Sequence, residues 1–211
     1  MRAPGVSLLE CRACPRLAGF LDECRRTHPD YFARPVPPFG DPNASLLIVG
    51  LAPGYNGANR SGRPFTGDYA GVLLYSTLHR YGFADRSQSV SASDGLRLSG
   101  CRITNAVKCV PPENKPETQE IKTCNRYLAA ELADAPEARV ILALGLVTHN
   151  AVLQALTLRR SAWKFAHGAR HGLPDGRILY DSYHCSRYNT QTGRLTEAGF
   201  HAVFEAIRSD L

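Results

Sequence analysis

Leu46 to Leu51, five apolar residues interrupted once by Gly50, is the stretch that most constrains the fold. Without polar alternation and flanked by turn formers, it reads as a strand buried on both faces, which requires packing layers above and below a sheet. A long loop follows, with five glycines (Gly54, Gly57, Gly62, Gly67, Gly71), two prolines and one acid, Asp68. Such a loop lets backbone approach a ligand closely, and in open parallel sheets ligands bind beyond the carboxyl ends of the strands. A site is therefore expected around this loop. Neither a Gly-Lys-Ser/Thr phosphate loop nor a GxGxxG dinucleotide pattern occurs in it.

The remaining periodicities supply the layers. Helical spacing covers Cys14–Arg26, a stretch from near Tyr69 to Tyr81, Glu117 or Thr118 to Leu132, Gly145 to about Leu156, and Thr196–Asp210. Strands are expected at Cys101–Val107, Arg139–Leu144 and Arg177–Tyr183. Strands alternating with helices predict an α/β fold with a central, four-stranded, mainly parallel sheet flanked by helices. One domain is expected over 1–211, preceded in its first 44 residues by a helical and proline-rich segment, and Ser87–Ser99 reads as a loop or lid. At 211 residues and 44% apolar content the chain can bury one substantial core. Its 25 basic and 19 acidic residues, net +6, favour a polyanionic partner. No run of 18 apolar residues is present and Met1–Glu10 is too polar for a signal peptide, so a cytoplasmic, membrane-free protein is expected.

Seven cysteines in such a chain suggest metal binding or buried thiols rather than disulfides. Cys11 and Cys14 form a CxxC pair, and Cys109 and Cys124 form a wider one, whereas Cys24, Cys101 and Cys185 stand apart. Four thiolates suit an iron–sulfur cluster or a structural zinc ion.

Three polar groups fall at strand ends: Asp68 in its loop, Asn105, and His184 with Ser186 and Asn189. Asparagine can read an amide-like ring edge, histidine can polarise a carbonyl oxygen, and a carboxylate can orient water or face developing positive charge. Each also has a plain structural reading. Asn105 can cap a strand end, His184 can bond backbone, and Asp68, after Phe65-Thr66-Gly67, can cap the following helix.

These segments together resemble the uracil-DNA glycosylase superfamily, most closely its iron–sulfur branch, family 5. The resemblance rests on GLAPGYNGANRSGRPFTGD (Gly50–Asp68), ITNAVKCVPPENKP (Ile103–Pro116) and HCSRYNTQTGRLT (His184–Thr196), and it extends over nearly the whole chain. It implies a monofunctional enzyme that flips uracil, or another deaminated base such as hypoxanthine, from damaged double-stranded DNA and hydrolyses its N-glycosidic bond. It implies a monomer, with no lyase lysine, and a 4Fe-4S cluster on Cys11, Cys14, Cys109 and Cys124. Phe65 would stack on the base, Asn105 would bond its polar edge, and His184 would stabilise negative charge on it. Relatives carry an activating acid or amide in the first motif, where this chain has Leu51 and Gly54, so Asp68 becomes the catalytic carboxylate. Gly50, Ala52, Gly54 and Tyr55 would complete the base pocket. Ser186, Arg187, Tyr188 and Asn189 would fill the vacated stack or hold phosphates, and Arg12, Arg16, Lys108, Lys115 and Lys122 are further phosphate candidates. Cys185 replaces the family's usual proline, and Gly54-Tyr55-Asn56 departs from its usual pattern. Two rival readings are a non-catalytic damaged-DNA binding protein of the same fold and an enzyme acting on a small nucleotide.

Overall fold

A computed structural model describes residues 7–211. The four expected strands form the parallel centre of the sheet: β2 (Leu46–Gly50), β3 (Cys101–Asn105), β4 (Val140–Leu144) and β6 (Ile178–Ser182). Two short antiparallel edges extend it to six strands, β1 (Phe39–Gly40) on β3 and β5 (Arg170–Gly172) on β6, in the order β1-β3-β2-β4-β6-β5. The sheet is thus wider than the sequence suggests. Two residues beside prolines and a three-residue Arg-His-Gly segment carry no periodicity to detect.

Alternate residues of β2 explain why its run is apolar throughout. Leu46 and Ile48 face a core shared with α3 (Tyr69–Arg80) and α7 (Glu197–Asp210), where Leu74, Leu78, Phe200 and Phe204 are buried. Leu47 and Val49 face the other core, under α4 (Thr118–Ala133) and α5 (Leu146–Ala155), with Leu128, Leu132 and Val152. A third cluster seats α1 (Pro15–Thr27) against Val107, Cys109, Val110 and Cys124 through Leu17, Leu21 and Cys24. The N-terminal segment is thereby part of the same packed body.

Strand order reverses between β2 and β4, and such a switch point opens a crevice beyond the carboxyl ends. Two short helices form within the loops at that edge, α2 (Ala58–Ser61) inside the glycine-rich segment and α6 (Arg187–Gln191) after β6. Among the described residues no helix is long and apolar enough to cross a membrane.

Candidate active site

The crevice holds an open cavity of about 650 Å³ whose lining includes Ala52, Gly54, Tyr55, Phe65, Asp68, Asn105 and His184. Its floor is a rung of the sheet. Gly50 and Asn105 are register partners on β2 and β3, and a β-carbon on Gly50 would lie 2.5 Å from Asn105 Oδ1 and 2.6 Å from the Phe65 ring. Glycine there lets the asparagine side chain and the aromatic ring share one space. Asn105 Oδ1 is buried without a hydrogen-bond partner, a condition shared among the described residues only by Asn59 Oδ1. An orphaned buried carbonyl oxygen costs about 1–3 kcal/mol, which a ligand N–H would recover.

Phe65 is fixed from both sides. Its backbone is left-handed, at φ 53°, a conformation that costs a bulky residue free energy and persists only when its surroundings enforce it. Tyr75 donates to the Pro64 carbonyl at 2.9 Å, and Arg63, buried, grips Asp94 through two bonds of 2.9 and 2.6 Å. Those bonds also anchor the serine-rich segment, because Asp94 accepts backbone N–H groups of Val90, Ser91 and Leu96. Phe65 stacks on His184, with ring centroids 5.7 Å apart.

Asp68 serves two purposes. Its Oδ1 accepts the Gly71 N–H at 2.9 Å and caps α3, while Oδ2 turns toward Gly54 and Gly57. A β-carbon on Gly57 would lie 2.4 Å from that oxygen, so the glycine makes room for the carboxylate. Burial raises the Asp68 pKa above the ordinary carboxylate value, against the lowering effect of the Gly71 and Ala70 N–H groups. Desolvation of His184 works in the opposite direction, holding its pKa at about 4 and its ring neutral at physiological pH.

A carboxylate, a neutral imidazole, a stacking ring and an unpartnered amide thus meet at the ends of three parallel strands. The uracil DNA glycosylase superfamily model matches residues 37–208. The chain belongs to that superfamily. Within it, the chain is 50% identical over 209 residues to a type-5 uracil-DNA glycosylase of Thermus thermophilus, covering 96% of this chain and 94% of the relative. It is 42% identical over 207 residues to a type-5 enzyme of Pyrobaculum aerophilum, at 96% and 90% coverage. A type-4 uracil-DNA glycosylase of the same archaeon is 35% identical over 130 residues, or 61% of this chain and 58% of the relative.

In this superfamily member the Tyr55 ring lines the cavity, but its hydroxyl is engaged with His28 Nδ1 at 3.2 Å, and Phe20 of α1 lies 5.9 Å away. The tyrosine therefore ties the cavity wall to the N-terminal helix and offers no free hydroxyl to a ligand. Cys185, in place of proline, is fully buried in the core beneath the site. Ser186 caps α6, and Asn189 Nδ2 donates to the His184 carbonyl at 2.8 Å. Tyr188 projects with 71% of its surface exposed, and Arg187 lies over the Tyr69 ring at 5.0 Å.

The four paired cysteines line one small cavity between α1, the segment after β3, and α4. None is in a disulfide, and burial pushes Cys14, Cys109 and Cys124 above the ordinary thiol pKa, so thiolates there need a cationic partner. The Lys108 N–H points at Cys124 Sγ at 3.3 Å, and Arg126 approaches Cys11 Sγ at 3.5 Å. Among the described residues, only His149, His171 and Asp181 bring three such donors within 4.8 Å of one another. No three of the cysteine sulfurs lie that close to one another.

The phosphate candidates divide. Lys122 is exposed, whereas Lys115, also exposed, lies 3.4 Å from Glu113, Arg12 pairs with Asp22 and Arg16 with Glu120. Lys108 is a correction to the sequence reading: it is buried, bonding Thr104 and Glu131, and its ammonium cannot reach a phosphate. Sequence reasoning also missed Arg63 and Asp94, which lie 31 residues apart and whose pairing leaves no local pattern.

Proposed function

We propose that this protein is a monofunctional DNA glycosylase that removes uracil, or another deaminated base such as hypoxanthine, from double-stranded DNA and leaves an abasic site for base excision repair. In this reading it acts as a monomer inside the cell. The observation that carries the reading is the buried, unpartnered Asn105 Oδ1 facing the same cavity as Phe65, His184 and Asp68.

A flipped uracil would stack on Phe65 and donate its ring N3–H to Asn105 Oδ1, a bond that cytosine, whose N3 carries no hydrogen, cannot make. Neutral His184 would donate to the base oxygen on which negative charge grows as the bond to C1′ breaks. The bond's electron pair leaves with the base. Ionised Asp68, its Oδ2 open to the cavity, would face the cationic sugar and orient the attacking water, whose oxygen bonds C1′ and whose proton neutralises the departed base. Burial suits the carboxylate to this task, because weak solvation leaves it more dependent on a nearby positive charge. Tyr188, with Ser186, Arg187 and Asn189 beside it, would occupy the gap in the stack and hold the backbone.

Cys11, Cys14, Cys109 and Cys124 fit a 4Fe-4S cluster better than one zinc ion. Zinc with bonds of about 2.3 Å holds four sulfurs roughly 3.8 Å apart, whereas no three of these sulfurs lie within 4.8 Å of one another. Bound there, the cluster would supply a covalent cross-link between the N-terminal segment and the Cys109–Cys124 region.

End-labelled duplexes carrying one uracil, one hypoxanthine or only thymine, incubated with protein and then alkali, test the proposal. Cleavage at the lesion, reduced at least 100-fold in Asp68→Ala, is expected. Specific retardation of the lesion duplex without cleavage would identify a damage-binding protein instead.

A further inference from the structure

On the face of the sheet under α5, away from both the base cavity and the cysteines, three side chains converge that the glycosylase chemistry does not use. Asp181 of β6 has no exposed surface, and its two oxygens meet His149 Nδ1 at 2.8 Å and His171 Nε2 at 3.0 Å. Among the described residues its ion-pair partners are these two imidazoles, with no lysine or arginine. A buried carboxylate without a positive partner is costly, and a bound cation would offset that cost.

The hydrogen bonding of His149 indicates where that cation sits. Its Nε2 faces the Trp163 carbonyl at 3.1 Å, and since a carbonyl only accepts, the proton of a neutral ring belongs on Nε2. The Nδ1 lone pair then points at another acceptor, Asp181 Oδ1. Metal-binding histidines commonly show this arrangement, with one nitrogen donating to a backbone carbonyl and the other free for the ion.

We infer that His149, His171 and Asp181 form a binding site for a divalent transition cation of the zinc class. All three donor atoms lie within 4.8 Å of one another, and two imidazoles with one carboxylate form a recurrent zinc donor set. Bonds of about 2.0–2.1 Å would require donor separations of roughly 3.3 Å, so the contacts must open by a few tenths of an ångström. His171 can yield by that amount, because it stands on the three-residue edge strand β5. It also retains 14% of its side-chain surface, which gives the ion a way in from solvent. Water would complete the coordination. The ion would pin β5 and α5 to β6, three residues before His184.

The test uses the holoprotein with its iron retained, dialysed against a mild chelator and titrated with zinc alone. The expected result is one zinc retained per chain, a higher melting midpoint, and unchanged iron content and visible absorption. His171→Ala should weaken zinc uptake at least tenfold while keeping its iron. If that variant does not fold, cadmium-113 NMR of the wild-type holoprotein distinguishes nitrogen and oxygen ligands from sulfur. No uptake, uptake unaltered by His171→Ala, or a sulfur-type cadmium shift would overturn the assignment and leave His149 and Asp181 as a proton-bridged pair.

Discussion

Asp68 and His184 are adjusted in opposite directions by burial, and pH separates them. Asp68 must be ionised to face a cationic sugar, and its pKa is raised, so kcat/KM should fall as pH drops through a value above the ordinary 3.8. In Asp68→Asn that acid limb should disappear, and the residual rate should hold until His184 gains its proton near pH 4. The same shift has a stability counterpart. Folding disfavours the charged form of Asp68, so its cost is fully present at neutral pH and fades as pH falls through the folded pKa. Asparagine keeps an oxygen to cap Gly71, so Asp68→Asn should melt higher than wild type at pH 7 despite its loss of turnover. Gly50→Ala tests the floor of the pocket by the opposite route. Its methyl group would overlap Asn105 and Phe65, so lesion cleavage should drop at least 100-fold with a destabilisation of about 1–3 kcal/mol, read by duplex cleavage and urea unfolding.

The elements that carry chemistry differ in how openly the sequence announces them. β2, β3, β4 and β6 are legible because burial on both faces demands uninterrupted apolar runs, and the long helices because each must present one apolar stripe. Asn105 and His184 are legible because they lie at or just past the ends of β3 and β6, and Asp68 because it is the one acid in the long loop after β2. The cap reading of Asp68 is borne out by Oδ1 on the Gly71 N–H, and the proposed catalytic role falls to the same side chain where it lines the cavity. The edge strands, the Arg63–Asp94 anchor and the Tyr55–His28 contact were hidden, since each is settled by tertiary packing between residues far apart in the chain. The α1 helix too is seated by distant contacts, through Leu17, Leu21 and Cys24 along its length, with Cys11 and Cys14 in the cysteine-lined cavity at its start. Cys109→Ala should therefore lose the absorption near 400 nm and lower the melting midpoint. Retention of both would refute the cluster.

At the scale of the whole molecule, a net charge of +6 and exposed Arg187, Lys115 and Lys122 predict lesion-duplex binding that weakens steeply with salt. Each phosphate contact contributes about 0.9 to the slope of log affinity against log salt. Arg187→Ala should flatten that slope by roughly this amount, measured by fluorescence anisotropy, whereas substitution of buried Lys108 should leave it unchanged.

Because Gly50 and Asn105 are partners on one rung of the central sheet, the floor of the cavity cannot drift independently of the fold. A mutation that reshapes it also disturbs the strand pairing on which every other element is mounted. The rest of the lining includes residues outside the sheet, among them Tyr55, Asn56 and Asn114, and that wall carries no such obligation. Divergence in lesion preference among descendants of this chain should accumulate on that wall, while the floor is inherited with the architecture.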